Sequence, residues 1–300
     1  MWTGRSEADA MKQRAGWVVA VILMGLAAPA AADRLEQSIP IAPGGTLSIE
    51  LDAGSIEIET HDEARVEIDA RASGWGEMKF ELEHDENEVE LVGSFGGWLS
   101  GLGGGRVRVR ARVPEHFDLN LRTSGGNIEV QDLQGDVDAE TSGGTIDLKE
   151  VEGEVSAETS GGGITAQEIR GALEVKTSGG PIHVSEVSGP VQAETSGGGI
   201  RIRDAGAEVD ARTSGGSVAV RFAGMPEGHV ETSGGSIEIE LPEGAGVDLE
   251  AGTSGGRVEI DSSIQVDGSV SRHEVSGELN GGGESLDLRT SGGNIRIRTR

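Results

Sequence analysis

The chain has no cysteine and no tyrosine, and only four tryptophans and four phenylalanines in 300 residues. Without cysteine there is no disulfide, no thiolate-held zinc and no thiol nucleophile. Aromatic side chains dominate most globular cores, so the core here must be thin and aliphatic. Basic residues are scarce too. Against 52 Asp and Glu stand 25 Lys and Arg, for a net charge of −27, which disfavours nucleic acid and anionic lipid as partners. Only one long apolar run exists. Residues 11–32 combine Lys12 and Arg14, an apolar stretch from Ala15 to Ala28, and Ala30-Ala31-Ala32. The stretch is shorter than the ~20 residues a membrane span needs, and the small-residue ending marks a cleavage site, so residues 1–32 read as a secretory signal peptide with Met11 as the natural start. The expected mature chain has no transmembrane segment and no cysteine for lipid attachment, and its expected location is the periplasm or the cell surface.

Glycine is abundant instead, with 50 residues. Much of it lies in one tetrapeptide, Thr-Ser-Gly-Gly, which begins at Thr123, Thr141, Thr159, Thr177, Thr195, Thr213, Thr232, Thr253 and Thr290. The first six copies are spaced by 18 residues, and the later gaps are 19, 21 and 37. The last gap has room for a degenerate copy near Val275-Ser276-Gly277. A fixed period of this size marks a repeat architecture.

Between turns the repeat reads Gly-x-Ile-x-Val-x-x-Leu-x-Gly-x-Val-x-Ala-x-Thr-Ser-Gly, as in residues 126–143. Apolar residues two apart are the period of a strand with one buried face, and Ile, Val and Thr suit a pleated sheet. Thr-Ser-Gly-Gly marks one tight corner, and Gly135, Gly153, Gly171 and Gly189 mark the other. No segment is long enough for a crossover helix. The expected fold is therefore all-β, a single-stranded parallel β-solenoid (β-helix) of ~18-residue coils stacked ~4.8 Å apart. Residues 123–300 would hold about ten coils, and 33–122 an N-terminal β-rich cap with the first irregular coils. The Thr of each tetrapeptide falls in phase with the inward Val and Ala. It is expected to form a buried ladder, its hydroxyls bonded to backbone or to the next rung.

No catalytic constellation emerges. The six histidines are scattered, none at metal-ligand spacing with another. The tetrapeptide serines are nine equivalents, which a catalytic residue is not. No phosphate loop, calcium nonapeptide or cofactor motif is present, so no cofactor, no metal and no enzyme activity is expected. Function is expected where the repeat fails. One place is the glycine-rich stretch 93–105, with Phe95, Trp98, Leu99 and Leu102 as contact residues for a partner or as a cover for the open end of the rod. Another is the last strand, where Arg296, Arg298 and Arg300 would protect an exposed edge or dock an acidic partner. The irregular segments 221–229 and 261–288 are the others.

Three features in order carry a resemblance: Gly45-x-Leu47-x-Ile49 followed by Gly54-Ser-Ile-Glu-Ile58, then Val113-Pro114, then repeated Thr-Ser-Gly-Gly-x-Ile. The chain thereby resembles the bacterial family of proposed adhesin domains, a domain of unknown function in cell-envelope proteins, over nearly all of residues 40–300. The resemblance implies a β-solenoid and an envelope location. The resulting expectation is a non-catalytic scaffold or adhesin-like module binding an envelope protein or glycan. The alternatives are an envelope-stress sensor or regulator and a polysaccharide-active β-helix enzyme.

Overall fold

The computed structural model describes residues 34–74, 78–95 and 106–300. The signal-peptide expectation therefore lies outside the described residues. The chain is a two-sheet β-solenoid, with thirteen strands in one sheet and fourteen in the other, mostly parallel and in register from coil to coil until a one-residue shift between Ile200–Ala205 and Val218–Phe222. One coil contributes Ile146–Glu152 to the first sheet and Val155–Thr159 to the second. The next lays Ile164–Ile169 and Leu173–Thr177 beside them.

Register follows from the buried positions. Ile128, Ile146, Ile164, Ile182, Ile200 and Val218 stand opposite one another in a continuous stripe, each at most 2% exposed. A slip of one residue would turn every Ile outward. Across the thin core, Ala139, Ala157, Ala193 and Ala211 are equally buried.

Alternation breaks once per coil in the first sheet. Val130 and Leu133 are three apart yet both buried, as are Leu148 and Val151. The residue between them that makes this possible is left-handed: Asp132, Glu150, Glu168, Glu186 and Asp204 have φ of 53–59°. The repeat reads as strands of period two with one Val-x-x-Leu step of three, as from Val130 to Leu133. The left-handed residue adds a kink that re-aims the third apolar side chain inward.

Both ends depart from simple stacking in chain order. The C-terminal strand Ile295–Thr299 does not lie at an edge. It is inserted between Ile237–Leu241 and Val258–Ile260, while Glu284–Thr290 sits between Gly228–Thr232 and Val247–Thr253. Val275-Ser276-Gly277 is not a degenerate coil either. It belongs to Glu274–Leu279, which forms an antiparallel hairpin with Val266–Val270 and closes this end. The other end mirrors this: the coil containing Gly45–Leu51 and Ser55–His61 lies between the later strands of residues 88–114 and 117–134. Antiparallel strands Arg34–Pro40, Arg65–Ser73 and Met78–His84 cover it. Antiparallel closure limits the free edges that would otherwise recruit another chain.

Candidate functional site

In the repeated motif the threonine and the glycines are engaged internally. Each motif Thr is buried. Its Oγ1 donates to the carbonyl of the second Gly of the neighbouring coil: Thr159 to Gly144 at 2.9 Å, Thr177 to Gly162 at 2.8 Å, Thr195 to Gly180 at 3.0 Å. The same oxygen accepts the N–H of the second Gly in its own corner, as from Gly180 to Thr177 at 3.3 Å. These bonds satisfy a hydroxyl whose burial alone would cost about 1–3 kcal/mol. A Cβ on that second Gly would lie 2.0 Å from the Gly162 carbonyl at Gly180, and 1.9 Å from the Gly180 carbonyl at Gly198. Only glycine lets successive corners approach this closely. The ladder at Thr123, Thr141, Thr213, Thr232, Thr253 and Thr290 has the same bonds to glycine carbonyls. The threonine and glycines of the tetrapeptide are thus a frame, while its serine is exposed in all nine copies.

The terminal arginines are engaged as well. Arg296 bonds Glu259 at 3.0 Å, Arg298 pairs with Glu238, and Arg300 reaches Asp204 at 3.3 Å. Because their strand is interior, they neutralise carboxylates on the strands around it instead of protecting an edge. Phe95 is partly buried against the core, and its N–H donates to the Asp52 carboxylate at 2.8 Å. Trp98, Leu99 and Leu102 lie outside the described residues. In segment 221–229 the extra residue leaves Met225 71% exposed.

Two groups of carboxylates have defined local roles. The corner opposite the tetrapeptide carries a side-chain relay: Asp118 accepts the N–H of Asp136 at 2.9 Å, and Asp136 accepts that of Glu154 at 2.8 Å. These acids, with Asp138, Glu174, Glu208 and Asp210, line a groove of about 650 Å³ along the second sheet. On the first sheet, burial against Glu150 pushes the Asp132 carboxyl up, whereas Lys149 beside Glu150 holds that carboxyl down. His61, Asp62 and Glu63 place one ligand atom each within 4.8 Å of one another. Their turn is already tied up, since His61 Nδ1 accepts the Glu63 N–H at 3.1 Å and Glu63 pairs with Arg65.

What remains open is the two outer faces. Along the second sheet one outward column reads Asn120, Asp138, Ser156, Glu174, Gln192, Asp210, His229 and Asp287 in register. The first six of these positions are 18 residues apart, but their residue types change from coil to coil, so no repeated motif singles them out. The pairing of each arginine depends on register, which sequence alone does not give at the swapped ends.

The sequence model of a family described as Toastrack DUF4097 matches residues 45–298. Among curated proteins no significant match is found. Among solved structures the chain is similar to a proposed cell adhesion protein from Clostridium sporogenes, with 16% identity over 89% of this chain and 100% of that one, at a TM-score of 0.25. It is also similar to a proposed adhesin from Bacteroides fragilis, with 10% identity over 90% and 98% of the two chains and a TM-score of 0.36. A proposed adhesin from Parabacteroides distasonis gives 11% identity over 89% and 97%, with a TM-score of 0.37.

Proposed function

The chain belongs to the Toastrack DUF4097 family, and from that premise we propose that it is a non-catalytic, adhesin-like binding scaffold, exported to the periplasm or the cell surface. One observation carries the reading. From coil to coil the inward positions repeat Ile, Val, Leu, Ala and Thr, while the outward positions change among acid, base, amide, hydroxyl and imidazole. A rigid frame presenting a varied polar face at a ~4.8 Å pitch is suited to recognition, since side chains on strands are held more precisely than side chains on loops. The pattern of residues 11–32 supports export. The net charge of −27 argues for an envelope protein or glycan as partner over nucleic acid.

Immobilised residues 33–300 are expected to retain a defined glycan or protein from envelope fractions and to leave uronate polymers uncleaved. Failure to retain anything from any envelope fraction, or turnover of such a polymer by the purified chain, overturns the proposal.

A further inference from the structure

In a chain with twice as many acids as bases, a surface arginine should find a carboxylate. Many do: Arg110 meets Glu57 at 2.7 Å and Arg122 meets Asp138 at 3.2 Å on neighbouring strands, and Arg212 meets Asp210 at 2.8 Å on its own strand. Arg201 and Arg203, like Arg106, Arg108 and Arg272, have none among the described residues. Both are exposed on the outer face of the first sheet, two residues apart on the strand Ile200–Ala205. Their in-register neighbours on one side are His183 and Ser185, and on the other side Arg201 faces Ala219. The next residue in the chain, Asp204, cannot serve them. Its Oδ2 takes Arg221 at 3.2 Å and its Oδ1 takes Arg300 at 3.3 Å.

The next coil extends this tile with Thr165 beside His183 and Gln167 beside Ser185. Together these six side chains line a shallow groove of about 280 Å³ that contains no carboxylate. Strand geometry places the two guanidinium stems ~7 Å apart on one face, with the coils ~4.8 Å apart. Two like charges side by side repel, and no carboxylate among the described residues pairs with either. Burial, and then the nearby Arg201 and Arg203, push the His183 imidazole down. It therefore remains neutral near pH 7 and contributes a hydrogen bond without a third charge. The groove offers forked guanidinium donors, an imidazole, an amide and two hydroxyls. Acids return on both sides, at Asp147 in one direction and Glu238 in the other.

We propose that this tile is an oxyanion-binding site for an acidic polysaccharide, with Arg201 and Arg203 holding a carboxylate or sulfate and Gln167, His183, Ser185 and Thr165 bonding the flanking sugar hydroxyls. The proposal rests on the scaffold reading above and names its ligand class. Guanidinium forks match planar or tetrahedral oxyanions, and hydroxyls beside the charge suit the remaining donors and acceptors. The flanking acids limit the site to a short anionic stretch with neutral units around it, which a uniformly charged polymer such as nucleic acid does not offer.

The test is a calorimetric titration of residues 33–300 with three probes: an oligosaccharide of alternating uronate and neutral sugar, its sulfated counterpart, and neutral dextran. At least one charged probe is expected to bind saturably and dextran not to bind. A response to the uronate form assigns a carboxylate, and a response confined to the sulfated form assigns a sulfate. Arg201→Gln with Arg203→Gln should weaken binding by at least about tenfold, the scale of one lost charge-assisted bond. Arg122→Gln with Arg212→Gln, which removes equal charge from the opposite sheet, should leave it unchanged. No binding of either charged probe, or equal weakening by both double variants, overturns the site. The scaffold reading fails separately: it falls if the unmodified chain retains nothing from envelope fractions. If the Arg201/Arg203 variant retains its envelope ligand fully, only the site is wrong.

Discussion

The two glycines of one corner should respond very differently to the same added methyl group. In Gly179-Gly180, a Cβ on Gly179 would lie 3.3 Å from the Gly161 carbonyl oxygen, a tight but tolerable contact. A Cβ on Gly180 would lie 2.0 Å from the Gly162 carbonyl oxygen and 2.5 Å from the Gly163 nitrogen. Both are backbone atoms of the adjacent coil, so no side chain can swing away. The Gly162 oxygen is also the acceptor for Thr177 Oγ1. Gly180→Ala must therefore push two coils apart, at about 1–3 kcal/mol for overpacking, and weaken a buried hydrogen bond, at about 1–3 kcal/mol for the group left unpaired. The expected loss is about 2–6 kcal/mol. Gly179→Ala keeps its contacts and restricts the unfolded chain, so its effect should stay within about 1 kcal/mol of zero. Urea unfolding followed by circular dichroism, with the slope compared between variants, reads the difference. Equal midpoints for the two variants would mean that close approach of successive glycines does not hold the corners together.

Thr195→Val keeps the shape but removes the donor to Gly180, and should cost about 1–3 kcal/mol in the same assay; an unchanged midpoint would show that the hydroxyl ladder is not a stabilising element. Glu186, held at φ 57° and making no ion pair among the described residues, should gain about 0.5–1 kcal/mol on replacement by glycine, because the left-handed cost of ~1–2 kcal/mol is relieved and part of it returns as glycine's entropy; a clear loss would contradict the kink. His183 should titrate below the ordinary imidazole value near 6.5 by NMR, and move up toward it in the Arg201→Gln, Arg203→Gln chain. A depressed imidazole means that the unfolded chain binds the proton more tightly. The associated stability is thus complete above pH ~6.5 and declines as pH falls below it, until the folded value is passed. A midpoint at or above 6.5 would remove the electrostatic basis for a neutral His183.

The coil and its inner ladder were legible because they depend on local facts. Ile and Val two apart, glycine at fixed intervals and Thr in phase with Val and Ala leave one arrangement of a short coil. The left-handed kink had a signal that went unread, the spacing of three from Val130 to Leu133 and its repeats. Coil order at the ends had none. Ile237, Val258 and Ile295 carry the same apolar pattern, and any of them can stack on Val218 equally well by hydrophobicity alone. The insertion of 284–299 follows the hairpin at 266–279, which reverses the chain before it. That swap explains why Arg296, Arg298 and Arg300 read as an exposed basic edge and instead lie among Glu259, Glu238, Glu240 and Asp204. Around Arg201 the 18-residue spacing already places His183 between Thr165 and Arg201; what it does not show is which arginines find a carboxylate, because that depends on side-chain reach.

The stacking order of the coils underlies every statement about which residues face one another, and the absence of native cysteine makes it directly measurable. His229, Asp287 and Glu250 occupy one outward column in that spatial order. Disulfides form readily across ~5.5 Å between Cα atoms and fail beyond ~7 Å; adjacent coils lie ~4.8 Å apart, and coils one level further twice that. Under mild oxidation, a chain carrying His229→Cys and Asp287→Cys should cross-link rapidly, whereas one carrying His229→Cys and Glu250→Cys should not. Cross-linking of the second pair with none of the first would place the coils in simple chain order and contradict the account.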